Sequence, residues 1–315
     1  MSIVLRGAMQ DFTTRRNFLK QAGFLAATST IPISYPAVRS DSLIDQLGLQ
    51  LYTVRNVLVE KPQETIQAIR NASYKQIELF DSQLLPQLHS VLKSLGIAIN
   101  STHFLSPLLT GNWELLEASG VRRPPLSYTL QAAIDQAAEY EVSYFIFPFL
   151  YPEERGGIDS YQALAEQLNQ TGELCKEVGI RMGYHNHSFE LQPMDGSSPM
   201  EVLLAETDPE LVCFELDVFW VSVAGHDPAE YIRKYANRIE LLHLKDKKAN
   251  TPQTYRAITM PRESFQPVGS GVLNFTEILQ AAQEANIKHV FIEQDASDDP
   301  LGDIKRSSDY LRSLE

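Results

Sequence analysis

The 315-residue chain has only two cysteines, Cys175 and Cys213, and no disulfide framework is evident from them. Cys213 falls in an apolar run and Cys175 near the end of a helical pattern, so both read as packing residues. The early apolar stretch, Ala22 to Ile33, is too short to span a bilayer, which takes about 20 residues. No cysteine lies near its end, which argues against a lipid anchor there, so no stable membrane anchor is expected. There is no low-complexity segment and no composition break to mark a second domain. No Gly-x-Gly-x-x-Gly follows the first strand candidate, so a dinucleotide-binding domain gains no support, and no phosphate cradle is evident. Positive charge is also scarce. Residues 1–40 hold five of the 27 basic and one of the 40 acidic residues, leaving 22 against 39 and a net charge of −17. Such a surface repels phosphate backbones and makes nucleic acid a poor partner.

The first forty residues read as a separate segment. Thr14-Arg15-Arg16-Asn17-Phe18-Leu19-Lys20 carries twin arginines, and small and apolar residues follow. That order fits a twin-arginine export signal and linker, and with it a periplasmic or otherwise exported protein. The plainer alternative is a basic amphipathic first helix. No clean cleavage site shows between Tyr35 and Ser40. The export route carries folded proteins, often with a cofactor already inserted, which suits an enzyme that loads its ion before export.

From Leu47 onward, short apolar runs alternate with longer amphipathic ones. The runs predict strands at Leu47–Thr53, Gln76–Phe80, Ile97–His103, Tyr144–Leu150, Ile180–His187, Leu211–Val218, Ile239–Leu244 and His289–Gln294. Helical patterns fill the intervals, with Pro62 at a helix start and Gly96 and Gly179 after helix ends. Strict alternation predicts a parallel sheet, and eight repeats predict closure into one (β/α)₈ TIM barrel over residues 41–315. An open doubly wound sheet is the alternative. Two long connections, Phe104 to Ser127 and Lys245 to Asn274, are expected to cap the mouth where chemistry occurs. The second ends in Pro267-Val268-Gly269-Ser270-Gly271, a turn that could bring N–H groups near a ligand.

Chemistry-bearing residues gather at the ends of the last four strand candidates. Gly183-Tyr184-His185-Asn186-His187-Ser188-Phe189-Glu190 ends one run, and Glu215-Leu216-Asp217, His243 and Glu293 end the next three. Residues two apart in a strand share a face. His185 with His187, Glu215 with Asp217, His243 with Lys245, and Glu293 with Phe291 and Asp295 therefore look inward. The skipped residues, Leu216, Val218, Leu242, Leu244 and Ile292, are apolar and face the helices. One divalent metal is expected on Asp217, His243 and Glu293, with His185 as fourth ligand and His187 or Glu190 as its alternatives. Mn²⁺ is the first expectation, though Zn²⁺, Co²⁺ and Fe²⁺ suit the same donors. Buried ion pairs and caps are the competing reading. Glu78, His103, His187 and Lys245 are further candidates for proton transfer beside Glu293. Tyr52, Glu190 and Trp220 are candidates for binding substrate.

From Leu47 to its end the chain resembles the xylose isomerase-like barrel family of sugar phosphate isomerases and epimerases, in an exported subgroup with Tyr-His-Asn-His-x-x-Glu. The resemblance rests on Phe214-Glu215-Leu216-Asp217, Leu242-His243-Leu244-Lys245-Asp246 and Ile292-Glu293-Gln294-Asp295. It implies metal ligands from strands five to eight, with His185 where the family has its first glutamate. It also implies a carbohydrate substrate and proton transfer next to a carbonyl through a metal-bound enediolate, giving an isomerase or epimerase. Loss of one carboxylate base at His185 suits elimination equally, so a lyase or hydratase acting on a keto-sugar or 3-keto-glycoside is the alternative. A non-catalytic periplasmic sugar- or metal-binding protein is the second alternative. The acidic surface disfavours the family's endonucleases, and a homo-oligomer is compatible with everything above.

Overall fold

The computed structural model describes residues 42–314. The twin-arginine segment and its linker lie outside them. Eight parallel strands close into a barrel, each beside its sequence neighbour and the last beside the first. They are β1 (Gly48–Gln50), β2 (Gln76–Leu79), β3 (Ala98–His103), β4 (Tyr144–Phe147), β5 (Arg181–His185), β6 (Val212–Asp217), β7 (Ile239–Leu244) and β8 (His289–Ile292). Helices follow each strand and wrap the outside, as in Ile158–Glu177 after β4 and Pro300–Arg312 after β8. The predicted barrel is therefore the observed fold.

Local chemistry explains the punctuation. Prolines open the helices Pro62–Asn71, Pro199–Glu206, Pro228–Lys234 and Pro300–Arg312, where a missing N–H costs nothing. Ser198, Asp227 and Asp299 cap three of them by accepting backbone N–H groups. Several strands end earlier than their apolar runs suggest. β1 stops at Gln50 and the chain turns through a 3₁₀ helix, Leu51–Val54. β4 stops at Phe147 because Pro148 has no N–H for a ladder. β5 stops at His185, so His187 lies beyond the strand.

Alternation divides the strands into two faces. Met182, Phe214, Leu216, Leu242, Leu244 and Ile292 pack outward into the main core. Inside, Tyr144, Ile146, Cys213, Leu241 and Phe291 form a separate apolar plug. Gly48 and Gly183 face this plug because no side chain fits there. A β-carbon on Gly48 would fall 2.4 Å from the Phe291 ring, and one on Gly183 2.5 Å from Ile146 Cδ1. Both cysteines are buried and free, as expected. Above the plug, toward the C-terminal ends of the strands, the interior turns polar.

Candidate active site

Two residues above the plug, every strand but β4 presents a polar side chain to the axis. Gln50, Glu78, His103, His185, Glu215 and His243 are all buried there, with Asp217, Lys245 and Glu293 close by. Register sets His185 beside Glu215 and Asp217 beside His243. Asp217 also caps the helix Val218–Val223, its Oδ1 accepting from the N–H groups of Phe219 and Trp220 at 2.9 and 3.1 Å. That cap fixes the carboxylate and leaves Oδ2 for another partner.

Glu215 is the hub that the list of sequence candidates missed. Its Oε2 lies 3.0 Å from His103 Nε2, 3.0 Å from His185 Nδ1 and 3.2 Å from His243 Nε2. Glu78 Oε1 adds contacts of 2.5 Å to His243 Nε2 and 3.1 Å to His103 Nε2, and accepts from Gln50 Nε2 at 2.7 Å. The inner nitrogen of His185 donates to Glu215 and leaves its other nitrogen a lone pair. His243, held protonated against burial by Glu215 and Glu78, donates from both nitrogens and would give up a proton to ligate an ion. His243 Nδ1 lies 2.8 Å from Glu293 Oε2, and His185 Nε2 lies 3.9 Å from Asp217 Oδ2. Strand alternation already placed Glu215 inward; what concealed its role was that it lies below the mouth.

Lys245 completes the group, with Nζ 3.0 Å from Asp217, 2.8 Å from Glu293 and 2.7 Å from Asp295. Burial opposes charge on every member, and the partners decide the outcome. Although burial pushes Glu293 up, Lys245 and His243 hold it well below the usual carboxylate range. His103, disfavoured by burial, is raised to about 9 by Glu78 and Glu215, so it carries a proton at neutral pH. Burial, reinforced by Lys245, keeps His187 neutral. Burial and the neighbouring His243 do the same to His185.

The donors fit a divalent cation. His103, His185, Glu215 and His243 could converge on an ion, and so could Asp217, His243 and Glu293. Asp217 Oδ2 is buried without a hydrogen bond, although Lys245 Nζ stands 3.0 Å away. Five carboxylates, Glu78, Glu215, Asp217, Glu293 and Asp295, meet one lysine and the protonated His103 and His243. Negative charge remains in excess, and a cation relieves it.

A cleft of about 600 Å³ opens above this floor and exposes His103, His185, His187, Lys245, Glu293 and Asp295 to it. Tyr52 and Trp220 line it as expected, and both long loops contribute walls through Leu116, Val121, Ala257 and Ile258. His187 packs edge-on against Phe149 at 4.9 Å between ring centres, and its Nδ1 is unpartnered. Glu78 is brought to the floor but not to the cleft.

Two expectations need correction. Glu190 is not at the cleft: it is fully buried, accepting from Tyr184 Oη at 2.7 Å and from the His187 N–H at 2.8 Å. With both oxygens taken by the chain's own donors, it is withdrawn as a substrate residue and as a ligand. The glycine-rich turn does not offer its N–H groups to a ligand either. Gly269 and Gly271 donate to Asp246 at 2.9 and 2.8 Å, joined by Lys247 and Leu273. Asp246 thus anchors the seventh βα loop.

Residues 66–314 match the profile of the xylose isomerase-like TIM barrel family. The chain belongs to this family. It is 26% identical over 249 residues to an inosose dehydratase of Geobacillus kaustophilus, covering 74% of this chain and 80% of that one. An inosose dehydratase of Clostridium beijerinckii is 31% identical over 149 residues, where the chain spans about half of the relative's length (49%) and the match covers 45% of this chain. Among solved structures, a sugar phosphate isomerase/epimerase from Parabacteroides distasonis superposes with a TM-score of 0.68 at 24% identity, covering 90% of this chain and 98% of that one. The chain is an enzyme of this superfamily, which sets aside the reading as a non-catalytic binding protein. Isomerase or epimerase and lyase or dehydratase chemistry both lie within the family's range.

Proposed function

We propose that this barrel is a metal-dependent enzyme that removes the proton next to the carbonyl of a keto-sugar and eliminates the neighbouring substituent. The observation that carries the reading is the pairing of unlike proton carriers in one cleft. Glu293 is held ionised by Lys245 and His243, while His103 is held protonated by Glu78 and Glu215. His185, Asp217, His243 and Glu293 hold the ion, Mn²⁺ first among those that suit these donors. When bound, the ion supplies Lewis-acid relief of the negative charge that develops on the carbonyl oxygen.

Glu293 takes the proton from the carbon beside the carbonyl, leaving an enediolate. The electron pair then forms the carbon–carbon double bond, the bond from the next carbon to its oxygen substituent breaks, and the departing oxygen takes the proton of His103. No oxidant or reductant is needed. Lys245 keeps Glu293 ionised, Tyr52 bounds the sugar at the rim, and Trp220 lies on the opposite wall. Epimerisation is the second reading, favoured by one feature: His187 lines the same cleft with an unpartnered Nδ1. It shares the first step and returns a proton to the opposite face.

Incubation with 3-keto-glucosides in heavy water, followed by NMR of the products, separates these outcomes. An unsaturated ketone supports elimination, and a deuterated epimer supports the second reading. Unchanged substrate across a panel of keto-sugars, after loading with Mn²⁺, Zn²⁺ and Co²⁺, would refute both. Arg15 and Arg16 support export to the periplasm, where phosphorylated sugars are scarce. Cell fractionation of an Arg15→Lys/Arg16→Lys variant is expected to leave the protein in the cytoplasm.

A further inference from the structure

The wall of the cleft is not uniform around the barrel. After β8, β1 and β2 it presents Asp295, Tyr52, Arg55 and Asp81, with one apolar ring, Phe80, packed against Tyr52. After β3, β4, β6 and β7 it presents an apolar arc that includes Leu116, Val121, Phe149, Trp220 and Ile258. Two serines fall within that arc, and neither offers a free hydroxyl. Ser106 donates to the Phe149 carbonyl at 2.6 Å, and Ser119 to the Leu116 carbonyl at 2.6 Å. Val121 and Ile258 are 41% and 62% exposed, an apolar surface left open beside a polar floor. The cleft's 600 Å³ falls in the range of about 300–1,000 Å³ that holds drug-sized ligands, larger than a lone monosaccharide.

We infer that the substrate is a glycoside with an apolar, aryl-type aglycone. Its keto-sugar ring lies on the polar floor against the β8–β1–β2 wall, and its aglycone lies along the apolar arc. The inference rests on the keto-sugar reading above and narrows it. A free keto-sugar or a sugar phosphate would leave the arc wet, and apart from the two engaged serines the only hydroxyl along it among the described residues is that of Tyr151. An aryl group would cover Val121 and Ile258 and meet the half-buried ring of Phe149, with the buried Trp220 backing the arc. The two long loops supply much of this arc, so aglycone preference is written in the segments that vary most freely in barrels of this kind.

The test compares methyl, phenyl and naphthyl 3-keto-β-glucosides in turnover with the metal-loaded enzyme. The same series of unoxidised β-glucosides is compared in binding by calorimetry. An apolar pocket discriminates by about tenfold or more for small apolar groups. A rise of at least tenfold in kcat/KM from methyl to phenyl is expected, together with its loss in Val121→Asp and Ile258→Asp. Val59→Asp, an exposed apolar position away from the cleft, is expected to keep the rise. Equal kcat/KM for methyl and aryl substrates would overturn the inference and leave the proposed function standing, as would an aryl advantage that survives both cleft variants. No turnover of any keto-glucoside would overturn the proposed function. Calorimetry then decides the inference alone: tenfold tighter phenyl than methyl glucoside supports it, and equal affinity or no binding refutes it.

Discussion

Two layers of the barrel interior lie two residues apart on the same strands and follow opposite rules. In the lower layer Cys213, Leu241 and Phe291 form a dry plug with glycines trimmed to fit. In the upper layer the same strands present Glu215, His243 and Glu293, where burial is unfavourable for every group and only mutual pairing makes it tolerable. The plug contributes stability through apolar area and close packing. The floor contributes chemistry, and its stability cost is offset by the plug and the helix-covered outer faces. Adjacent layers can therefore be disturbed separately, and the variants below do so.

The largest effect is expected from Glu293→Gln, which removes the base and leaves its shape. Turnover should fall by about 10³-fold, as general-base losses do, with the melting temperature close to wild type; steady-state kinetics and calorimetric melting check both halves. Two residues lower, Phe291→Ala should do the reverse. Emptying the plug costs about 3–5 kcal/mol, read as a loss in urea midpoint, while the protein that remains folded keeps its ion.

Glu190 sharpens the contrast, being a buried acid that the cleft does not use. Burial raises its carboxyl from 4.5 to about 7 in spite of Tyr184 and the His187 N–H. Below pH 4.5 the group is protonated in both folded and unfolded chains and its stabilising contribution is fully present. That contribution is lost as pH rises toward about 7, because the unfolded chain ionises first. Glu190→Gln should therefore be more stable than wild type at pH 8, by up to about 3 kcal/mol, with the difference vanishing near pH 4. Urea unfolding at the two pH values measures it. The smallest effect belongs to Glu215→Gln, which leaves His185 and His243 less firmly oriented. Metal affinity is expected to drop by about 10–100-fold, read by chelator competition, with the fold intact.

Much of this was legible in the sequence, because strand alternation is a strong local signal. It placed His185, Glu215, Asp217, His243 and Lys245 on one side and Leu216, Leu242 and Leu244 on the other, and the eightfold alternation announced the barrel. Where elements stop was less legible. Tyr52 falls in a 3₁₀ turn and His187 beyond β5, since strand ends depend on ladder partners that lie far away in sequence. Glu190 and the Gly269–Gly271 turn were misjudged for a shared reason. Each carries groups that suit a ligand, but a partner within the fold takes them first: Tyr184 and the His187 N–H for Glu190, and Asp246 for the turn. Sequence shows donors and acceptors, not which are already engaged. The short helices Pro107–Thr110, Trp113–Ala118 and Val218–Val223 are too brief to show a helical period, and only the last has a side-chain cap, from Asp217.

The central claim is that the upper layer of β5–β8 is built to hold one divalent ion. Elemental analysis of the purified protein after Mn²⁺ loading and desalting, wild type beside Asp217→Ala, tests it most directly. The account predicts about one ion per chain in the wild type and almost none in the folded variant. Full retention in Asp217→Ala, or a wild type that holds neither Mn²⁺ nor Zn²⁺ nor Co²⁺, would contradict it.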